Sequence, residues 1–192
     1  EAAQGGRPAR ALPYAFEIAC EVDASRKAVA LNVVNTGAVG AAFNVYAAGG
    51  GSGPWSYTAE AGKTLRYELM AGADAYDLTV YGANGFVRAF SGRTDAPITV
   101  DARIDAERRG IALTLNNSGA REISVRVREL AYGGLDHTIA VAAGASQADL
   151  VGLREHNWYD VEVSWEGFRR RYAGHVETGA PSVSDPLIGQ RA

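Results

Sequence analysis

The stretch YDLTVYGANGFVRAFSG, residues 76–92, decides the fold of this chain. Its apolar residues Leu78 and Val80 alternate with polar ones, and a period of two places one face of a β-strand in a core and the other in water. Asn84 and Gly85 then interrupt the alternation, and both residue types tolerate the positive φ that a tight type I′ hairpin requires. The stretch therefore predicts a β-hairpin.

A second hairpin of the same kind follows as YDVEVSWEGFRRRYAGH, residues 159–175. The repetition extends upstream, because a shift of 82 residues places Cys20 on Ala102 and aligns CEVDASRKAVALNVVNTGA with ARIDAERRGIALTLNNSGA. Asn35 then falls on Asn117. Two copies of one unit of about 80 residues explain this pattern, and a unit of that length can bury its own core.

Runs with a period of two recur along both copies, separated by turns rich in Gly, Asn and Asp, and no window shows helical periodicity. Six or seven short strands per copy are typical of a β-sandwich of the immunoglobulin or fibronectin type. We therefore predict an all-β chain of two tandem sandwiches at residues 14–93 and 97–175. Residues 1–13 are predicted to be a linker from a domain outside this chain, and residues 176–192 a C-terminal tail.

Two tyrosines occupy equivalent places in the repeats. After a slip of one residue in the alignment, Tyr76 falls on Tyr159, and each opens a strand after a loop. In β-sandwiches a tyrosine in such a place can form a tyrosine corner, in which its hydroxyl binds the backbone of a neighbouring loop. Both residues are predicted to be structural tyrosine corners.

Composition excludes several classes of partner. A net charge of −3 provides no attraction for a polyanion, so we expect no nucleic-acid partner. The single cysteine, Cys20, forbids an intrachain disulfide and lies in an alternating apolar run, so a buried, unreactive thiol is expected. No apolar run reaches the about 18 residues that a membrane-spanning helix needs. Residues 1–10 lack the apolar core of a signal peptide.

Catalytic and metal-binding sites require clusters that this sequence does not show. The three histidines, His137, His156 and His175, are not paired with one another or with a cysteine at metal-ligand spacing. The loop GGGSG, residues 49–53, lacks the Lys and the helix of a phosphate-binding loop and is expected to be a flexible hairpin loop. We therefore predict no catalytic residue, no cofactor-binding residue and no metal ligand.

Two groups of residues are candidates for lipid contact. Trp55 and Tyr57 adjoin the glycine-rich loop, and exposed aromatic rings can enter a membrane interface or stack on sugars. Arg169, Arg170 and Arg171 form a basic run that could contact lipid phosphates. Each group has a structural alternative: the aromatic rings could pack in the core, and the arginines could protect an edge strand from aggregation.

Several strings of the sequence resemble one protein family. GGRPARALPYAFEI from Gly5, VNTGAVGAAFNVY from Val34 and YAGHVETGAPSVSDP from Tyr172 are similar to the C-terminal region of bacterial phosphatidylcholine-type phospholipases C. The resemblance covers almost the whole chain and implies that catalysis belongs to a large N-terminal domain outside it. It also implies a parent enzyme that releases phosphocholine from phosphatidylcholine or sphingomyelin. Such an enzyme would be secreted or periplasmic, exported by the twin-arginine route.

Three functions are compatible with these observations. The first is a non-catalytic accessory module that packs on the catalytic domain and assists its presentation to lipid. The second is a free-standing β-sandwich module that binds a phosphatidylcholine-containing membrane surface or a carbohydrate. The third, an enzyme, requires His156, Asp160 and Glu162 to converge, and no nucleophile is evident beside them.

Overall fold

In the computed structural model, which describes residues 6–48 and 53–187, the chain consists of short β-strands. The only helical segment among these residues is a 3-10 turn at Glu155–Asn157, and none of their helices is long and apolar enough to cross a bilayer. The strands are β1 (Pro8–Ala9), β2 (Phe16–Asp23), β3 (Ala28–Asn35), β4 (Ala41–Ala47), β5 (Trp55–Ala59), β6 (Thr64–Met70), β7 (Ala75–Tyr81), β8 (Val87–Arg93), β9 (Ile98–Asp105), β10 (Gly110–Asn117), β11 (Ile123–Glu129), β12 (Asp136–Val141), β13 (Ser146–Gly152), β14 (Trp158–Trp165), β15 (Phe168–His175) and β16 (Ser182–Val183).

Each repeat contributes seven strands to two packed layers. A three-stranded sheet, β2-β3-β6 in the first repeat and β9-β10-β13 in the second, covers one side. The remaining strands of both repeats form one eight-stranded sheet in the order β12-β11-β14-β15-β8-β7-β4-β5, and all its pairs are antiparallel. The predicted all-β fold with two sandwich repeats is therefore confirmed.

The two repeats share a sheet because the last strand of each pairs with the last strand of the other. In this β8–β15 pair Ala89 lies opposite Arg171, its own counterpart in the second repeat, so the pairing is symmetric about that point. β15 also pairs with β14 and is an interior strand. The interpretation of the arginine run as protection for an edge strand is therefore wrong.

The hairpins form as their sequences predict. Asn84 has φ 56° and Gly85 has φ 70°, so both adopt the positive φ on which the prediction rested. In the second copy the one-residue-shorter turn places Glu166 at φ 37° and Gly167 at φ 82°. Leu78, two residues from Tyr76 in the alternation, is fully buried.

The core consists of alternating side chains from both layers of each repeat. The largest fully buried ones are Leu31, Val33, Phe43, Val45, Leu78, Val80 and Phe90 in the first repeat, and Leu113, Leu115, Val125 and Val127 in the second, with Val29 beside them. At about 25 cal/mol per Å² of apolar surface buried, each such side chain contributes about 1.5–3 kcal/mol relative to an exposed one.

The repeated Asn-x-Gly motif closes one end of each sandwich. The side-chain amide of Asn35 donates to the carbonyls of Val39 and Ala59 at 3.0 and 2.9 Å, and its oxygen accepts from the backbone N–H of Gly37. Asn117 makes the equivalent bonds in the second repeat. A buried amide with all these partners stabilises the loop, whereas an unpaired one would cost free energy.

Candidate functional site

Arg88 of β8 is buried where the two repeats meet, with only 5% of its surface exposed. One of its guanidinium N–H groups donates to the hydroxyl of Tyr159, across the repeat boundary, at 3.0 Å. Another donates to the carbonyls of Val87 and Ala173, both at 2.9 Å. Three rings surround the guanidinium carbon, those of Phe86, Tyr172 and Tyr159 at 4.0, 5.5 and 5.7 Å from ring centre to carbon.

Arg170 of β15 repeats this arrangement from the other side. It is 4% exposed, donates to the hydroxyl of Tyr76 and to the carbonyls of Ser91 and Arg169, and lies among the rings of Phe168, Tyr76 and Phe90. Among the residues that the structure describes, neither Arg88 nor Arg170 forms an ion pair. Hydrogen bonds and cation–π contacts therefore compensate for burying the two charges.

Both candidate tyrosine corners belong to this arrangement. The hydroxyls of Tyr76 and Tyr159 bind the arginine of the opposite repeat rather than a loop of their own. A Cβ on Gly174, which has φ 153°, would lie 3.2 Å from the Tyr159 hydroxyl, so a side chain there would crowd that contact. The tyrosines thus connect two repeats, a role that a single-domain pattern could not indicate.

The other two residues of the arginine run lie on the outward face of the eight-stranded sheet. Arg171 binds the carboxylate of Asp160 through two N–H groups, at 2.7 and 2.6 Å. Arg169 lies 3.7 Å from Glu162, which also accepts a hydrogen bond from Arg128 at 3.0 Å. The β14–β15 register places Glu162 directly opposite Arg171, so Arg171 and Arg169 reach Asp160 and Glu162 as diagonal neighbours.

The predicted aromatic pair lies on β5, at the edge of the same sheet. Trp55 and Tyr57 are half-buried against the core, and the ring of Tyr57 lies 4.0 Å from that of Tyr67. Three strands separate β5 from β15, which corresponds to about 19 Å at the usual strand spacing. The structure therefore does not bring these rings together with the arginine run. The adjoining loop residues 49–52 lie outside the described part of the chain.

Two exposed tyrosines on this outward face were missed by sequence reasoning. Tyr46 of β4 and Tyr81 of β7 are 45% and 49% exposed, and their rings meet edge to face at 5.7 Å. The repeat alignment could have identified Tyr46, because it falls on Arg128 of the second repeat. An aromatic residue at a place where the other copy has a charge indicates a local difference in surface chemistry.

The two ends of the described chain meet beside the repeat boundary. β1 pairs with β16, and the indole N–H of Trp158 donates to the carbonyl of Val183 at 3.0 Å. Glu177 accepts from the side chain of Asn84 at 2.6 Å and from the backbone N–H of Leu12 at 3.0 Å. Next to this cluster is a groove of about 370 Å³, lined in part by Glu177 and His175.

His175 also belongs to this cluster. It lies between a carboxylate and a serine hydroxyl, as the histidine of a hydrolase triad does. Its two ring nitrogens lie 3.0 Å from Glu177 and 3.1 Å from the hydroxyl of Ser182. The imidazole is only 4% exposed, and the Ser182 hydroxyl contacts the carbonyl of His156 at 3.3 Å. Glu177 meanwhile binds two other segments, so the cluster has the form of a clamp that holds the terminal segments.

The enzyme hypothesis from sequence required three other residues to converge. Asp160 and Glu162 do share the outward face of β14, but both carboxylates are occupied by arginines. His156 lies in the 3-10 turn with φ 63°. His137 contacts Asp149 at 3.0 Å. Within residues 6–48 and 53–187, no group of three or more His, Cys, Asp or Glu side chains is arranged to hold a metal ion.

Cys20 lies on the inner side of β2 and is partly buried. Burial raises the pKa of its thiol from 9.0 to about 11, opposed in part by the nearby charge of Arg170. A thiol with this pKa is almost entirely protonated at neutral pH, and the thiolate is the reactive form.

Comparison with known proteins gives consistent matches. The family described as bacterial phospholipase C, C-terminal domain, matches residues 8–93 and 97–175. The non-hemolytic phospholipase C of Burkholderia pseudomallei is 41% identical over 196 residues, which cover 96% of this chain and 28% of that protein. The non-hemolytic and hemolytic phospholipases C of Pseudomonas aeruginosa are 35% and 30% identical, again over 96% of this chain. The chain thus spans less than a third of the length of these relatives.

Proposed function

Because this chain belongs to the family of C-terminal domains of bacterial phospholipases C, we propose that it is a non-catalytic accessory module of such an enzyme. It packs on the catalytic domain of the same polypeptide and assists in presenting that domain to lipid. The parent enzyme hydrolyses phosphatidylcholine or sphingomyelin to release phosphocholine, and it is secreted or periplasmic after export by the twin-arginine route.

The observation that carries this proposal is that the chain's polar and reactive side chains are bound to other groups of the same domain. The buried arginines are bound to tyrosines and carbonyls, the outward carboxylates to arginines, and His175 lies in the terminal clamp. A domain whose polar groups are engaged in its own architecture is suited to a supporting role.

The test is to assay the 192-residue chain and the full-length protein side by side. With phosphatidylcholine vesicles and p-nitrophenyl phosphorylcholine as substrates, we expect turnover by the full-length protein only. A control lot of full-length protein with its catalytic domain inactivated would identify a contaminating activity. Turnover by the purified chain alone would contradict the proposal.

The triad-like contacts of Ser182, His175 and Glu177 are tested with a simple ester. We expect the chain to give no turnover of p-nitrophenyl acetate above that of Ser182→Ala, because the imidazole is shielded from solvent. Hydrolysis that Ser182→Ala abolishes would instead establish an acyl-transfer activity in this module.

Direct lipid contact is the second candidate function, with Trp55, Tyr57, Arg169, Arg170 and Arg171 as the contact residues. It is favoured by the 42% and 36% exposure that the side chains of Arg169 and Arg171 retain on the outward face. Arg170, being buried, would act only through the position of its neighbours. The test is co-sedimentation with phosphatidylcholine vesicles, comparing wild type with a variant that carries both Arg169→Ser and Arg171→Ser. Equal binding of the two proteins would show that these arginines do not contact lipid.

A further inference from the structure

The outward face of the eight-stranded sheet differs between its two halves. In the half from the second repeat, seven outward residues are charged: Arg126, Arg128, Asp136, Asp160, Glu162, Arg169 and Arg171. In the half from the first repeat, the outward positions carry two charges, Asp77 and Arg93, and are otherwise Ala, Asn, Ser, Thr, Tyr and Val. One continuous surface therefore has a charged half and a nearly uncharged half.

The repeat alignment shows which positions changed. Tyr46 occupies the place of Arg128, and Tyr81, after the one-residue slip, occupies the place of Ser164. In the second repeat Arg128 forms an ion pair with Glu162, and Ser164 lies opposite Arg126 and Arg169 in the strand register. Since β4–β7 and β11–β14 pair in the same register, folding alone does not require exposed aromatic rings there. In the first repeat the rings of Tyr46 and Tyr81 contact each other edge to face, and both stay about half exposed.

We propose that Tyr46 and Tyr81, with Thr79 opposite Tyr46 and Val87 opposite Tyr81, form the surface on which the preceding part of the full-length polypeptide docks. This inference rests on the proposed function, because it names the face through which the accessory module would pack. Tyrosine is enriched at the centre of protein interfaces, where the ring is buried and the hydroxyl finds a partner.

The position of the N-terminal segment supports this occupant. Tyr81 ends β7 and lies opposite Val87 across the hairpin turn. Within that turn, Asn84 binds Glu177, and Glu177 binds the backbone N–H of Leu12. At Leu12 the N-terminal segment therefore passes beside the hairpin turn that follows Tyr81.

The size of the surface also favours a tethered partner over a free one. An aromatic side chain can bury about 200 Å², so two half-exposed tyrosines offer about 100 Å² each. A stable complex of separate proteins buries about 800 Å² per partner. A domain on the same chain needs much less contact area, because tethering raises its effective concentration. The small number of charges on this half, two against seven in the other, further suits an uncharged docking surface.

Photo-crosslinking of the full-length protein tests the proposal. Benzoyl-phenylalanine is placed at position 46 or 81, and, as controls, at position 164, the counterpart of 81, and at position 150, an exposed residue of β13. After irradiation and peptide mapping, we expect positions 46 and 81 to crosslink to residues that precede the chain, at least tenfold more than the controls. Crosslinks between two molecules, crosslinks only to added phosphatidylcholine vesicles, or no crosslinks would overturn the proposal.

A second measurement covers the case in which the photoreactive residue disturbs the strand. Tyr46→Arg with Tyr81→Ser copies the second repeat and should speed proteolytic separation of the two parts of the full-length protein at least fivefold, whereas Leu150→Ser should not. An unchanged rate would contradict docking. The phospholipase activity of the full-length protein is assayed in parallel. If that protein is inactive but the crosslinks form, the proposed function is contradicted and the docking surface is not. If it is active but the crosslinks do not form, only the docking surface is contradicted.

Discussion

At the scale of single residues, the least expected feature is the pair of buried arginines. Neither is neutralised by a carboxylate in the described part of the chain, yet both hold a tyrosine hydroxyl and two carbonyls within a set of aromatic rings. Arginine suits this role because its planar guanidinium has several donors and stacks on rings. Each arginine belongs to one repeat and binds the tyrosine of the other, so these contacts couple the repeats.

Arg170→Ala should therefore destabilise the protein by about 4 kcal/mol, since a desolvated cation–π contact and hydrogen bonds to a charged group are each worth about 2 kcal/mol. Tyr76→Phe, which removes one hydroxyl, should cost about 1 kcal/mol. The measurement is the free energy of unfolding in urea. Arg103→Ala, at a side chain 73% exposed, is the control and should stay within about 0.5 kcal/mol of wild type. Equal effects of Arg170→Ala and Arg103→Ala would contradict this account.

The Cys20 thiol predicts a loss of stability at alkaline pH. Its pKa is about 11 in the folded chain against 9.0 in an unfolded one, so the protonated form is favoured by folding. That contribution is fully present below pH 9 and is lost as the pH rises toward 11. Burial also raises the pKa of Tyr76, which acts in the same direction at higher pH.

Urea unfolding at pH 8.5, 9.5 and 10.5 measures this effect. The free energy of unfolding should fall across the series, and it should fall less in Cys20→Ala. Alanine is the natural choice because Ala102 occupies the equivalent position in the second repeat. Parallel curves for wild type and Cys20→Ala would show that the thiol does not contribute.

At the scale of elements, the loops are set by close backbone approach as much as by strand alternation. Gly37 follows the buried Asn35, and a Cβ there would lie 2.8 Å from the backbone nitrogen of Ala15 and 2.9 Å from the carbonyl oxygen of Pro13. The N-terminal segment can pass over the β3–β4 loop only because that position has no side chain. The sequence repeats the glycine as Gly119, where the chain meets Pro97.

Gly37→Ala should accordingly destabilise the protein by about 1–3 kcal/mol, because backbone atoms must move to remove the overlap. Gly152→Ala is the matched control, since a Cβ there would meet nothing within 4 Å. Thermal unfolding of both variants gives the comparison. A melting temperature of Gly37→Ala equal to that of Gly152→Ala would mean that the segment relaxes without cost.

At the scale of the whole molecule, the eight-stranded sheet makes the two repeats one cooperative unit. The β8–β15 pair supplies main-chain hydrogen bonds across the boundary, and the arginine–tyrosine contacts lie directly beneath it. Separate sandwiches on a short connector would unfold independently. Here, loss of one repeat would expose the last strand and a buried arginine of the other.

The chain should therefore unfold in a single two-state transition, with equal calorimetric and van't Hoff enthalpies. Arg88→Ala combined with Arg170→Ala should separate it into two transitions or lower the van't Hoff enthalpy, because the coupling contacts are gone. Differential scanning calorimetry measures both quantities. Two transitions in the wild-type chain would show that the shared sheet does not couple the repeats.

The sequence alone determined the secondary structure and the division into two repeats. The period of two, the Asn-Gly turn and the internal repeat are local or self-comparing signals, and they predicted the strands, the hairpins and two sandwich units. The lipid-contact residues Trp55, Tyr57 and Arg169 to Arg171 are still predictions, and the terminal clamp could not be foreseen because Leu12, Asn84 and Glu177 are far apart in sequence.

Only the tertiary structure decided how the repeats join and what each arginine does. Three adjacent arginines alternate across a strand, so one is buried and two face outward, but alternation does not reveal whether that strand is an edge or lies between two others. Strand pairing between repeats depends on contacts more than 70 residues apart, such as Arg88 with Tyr159. A local pattern carries no information on such contacts, because their free energy arises only when the partner is already in place.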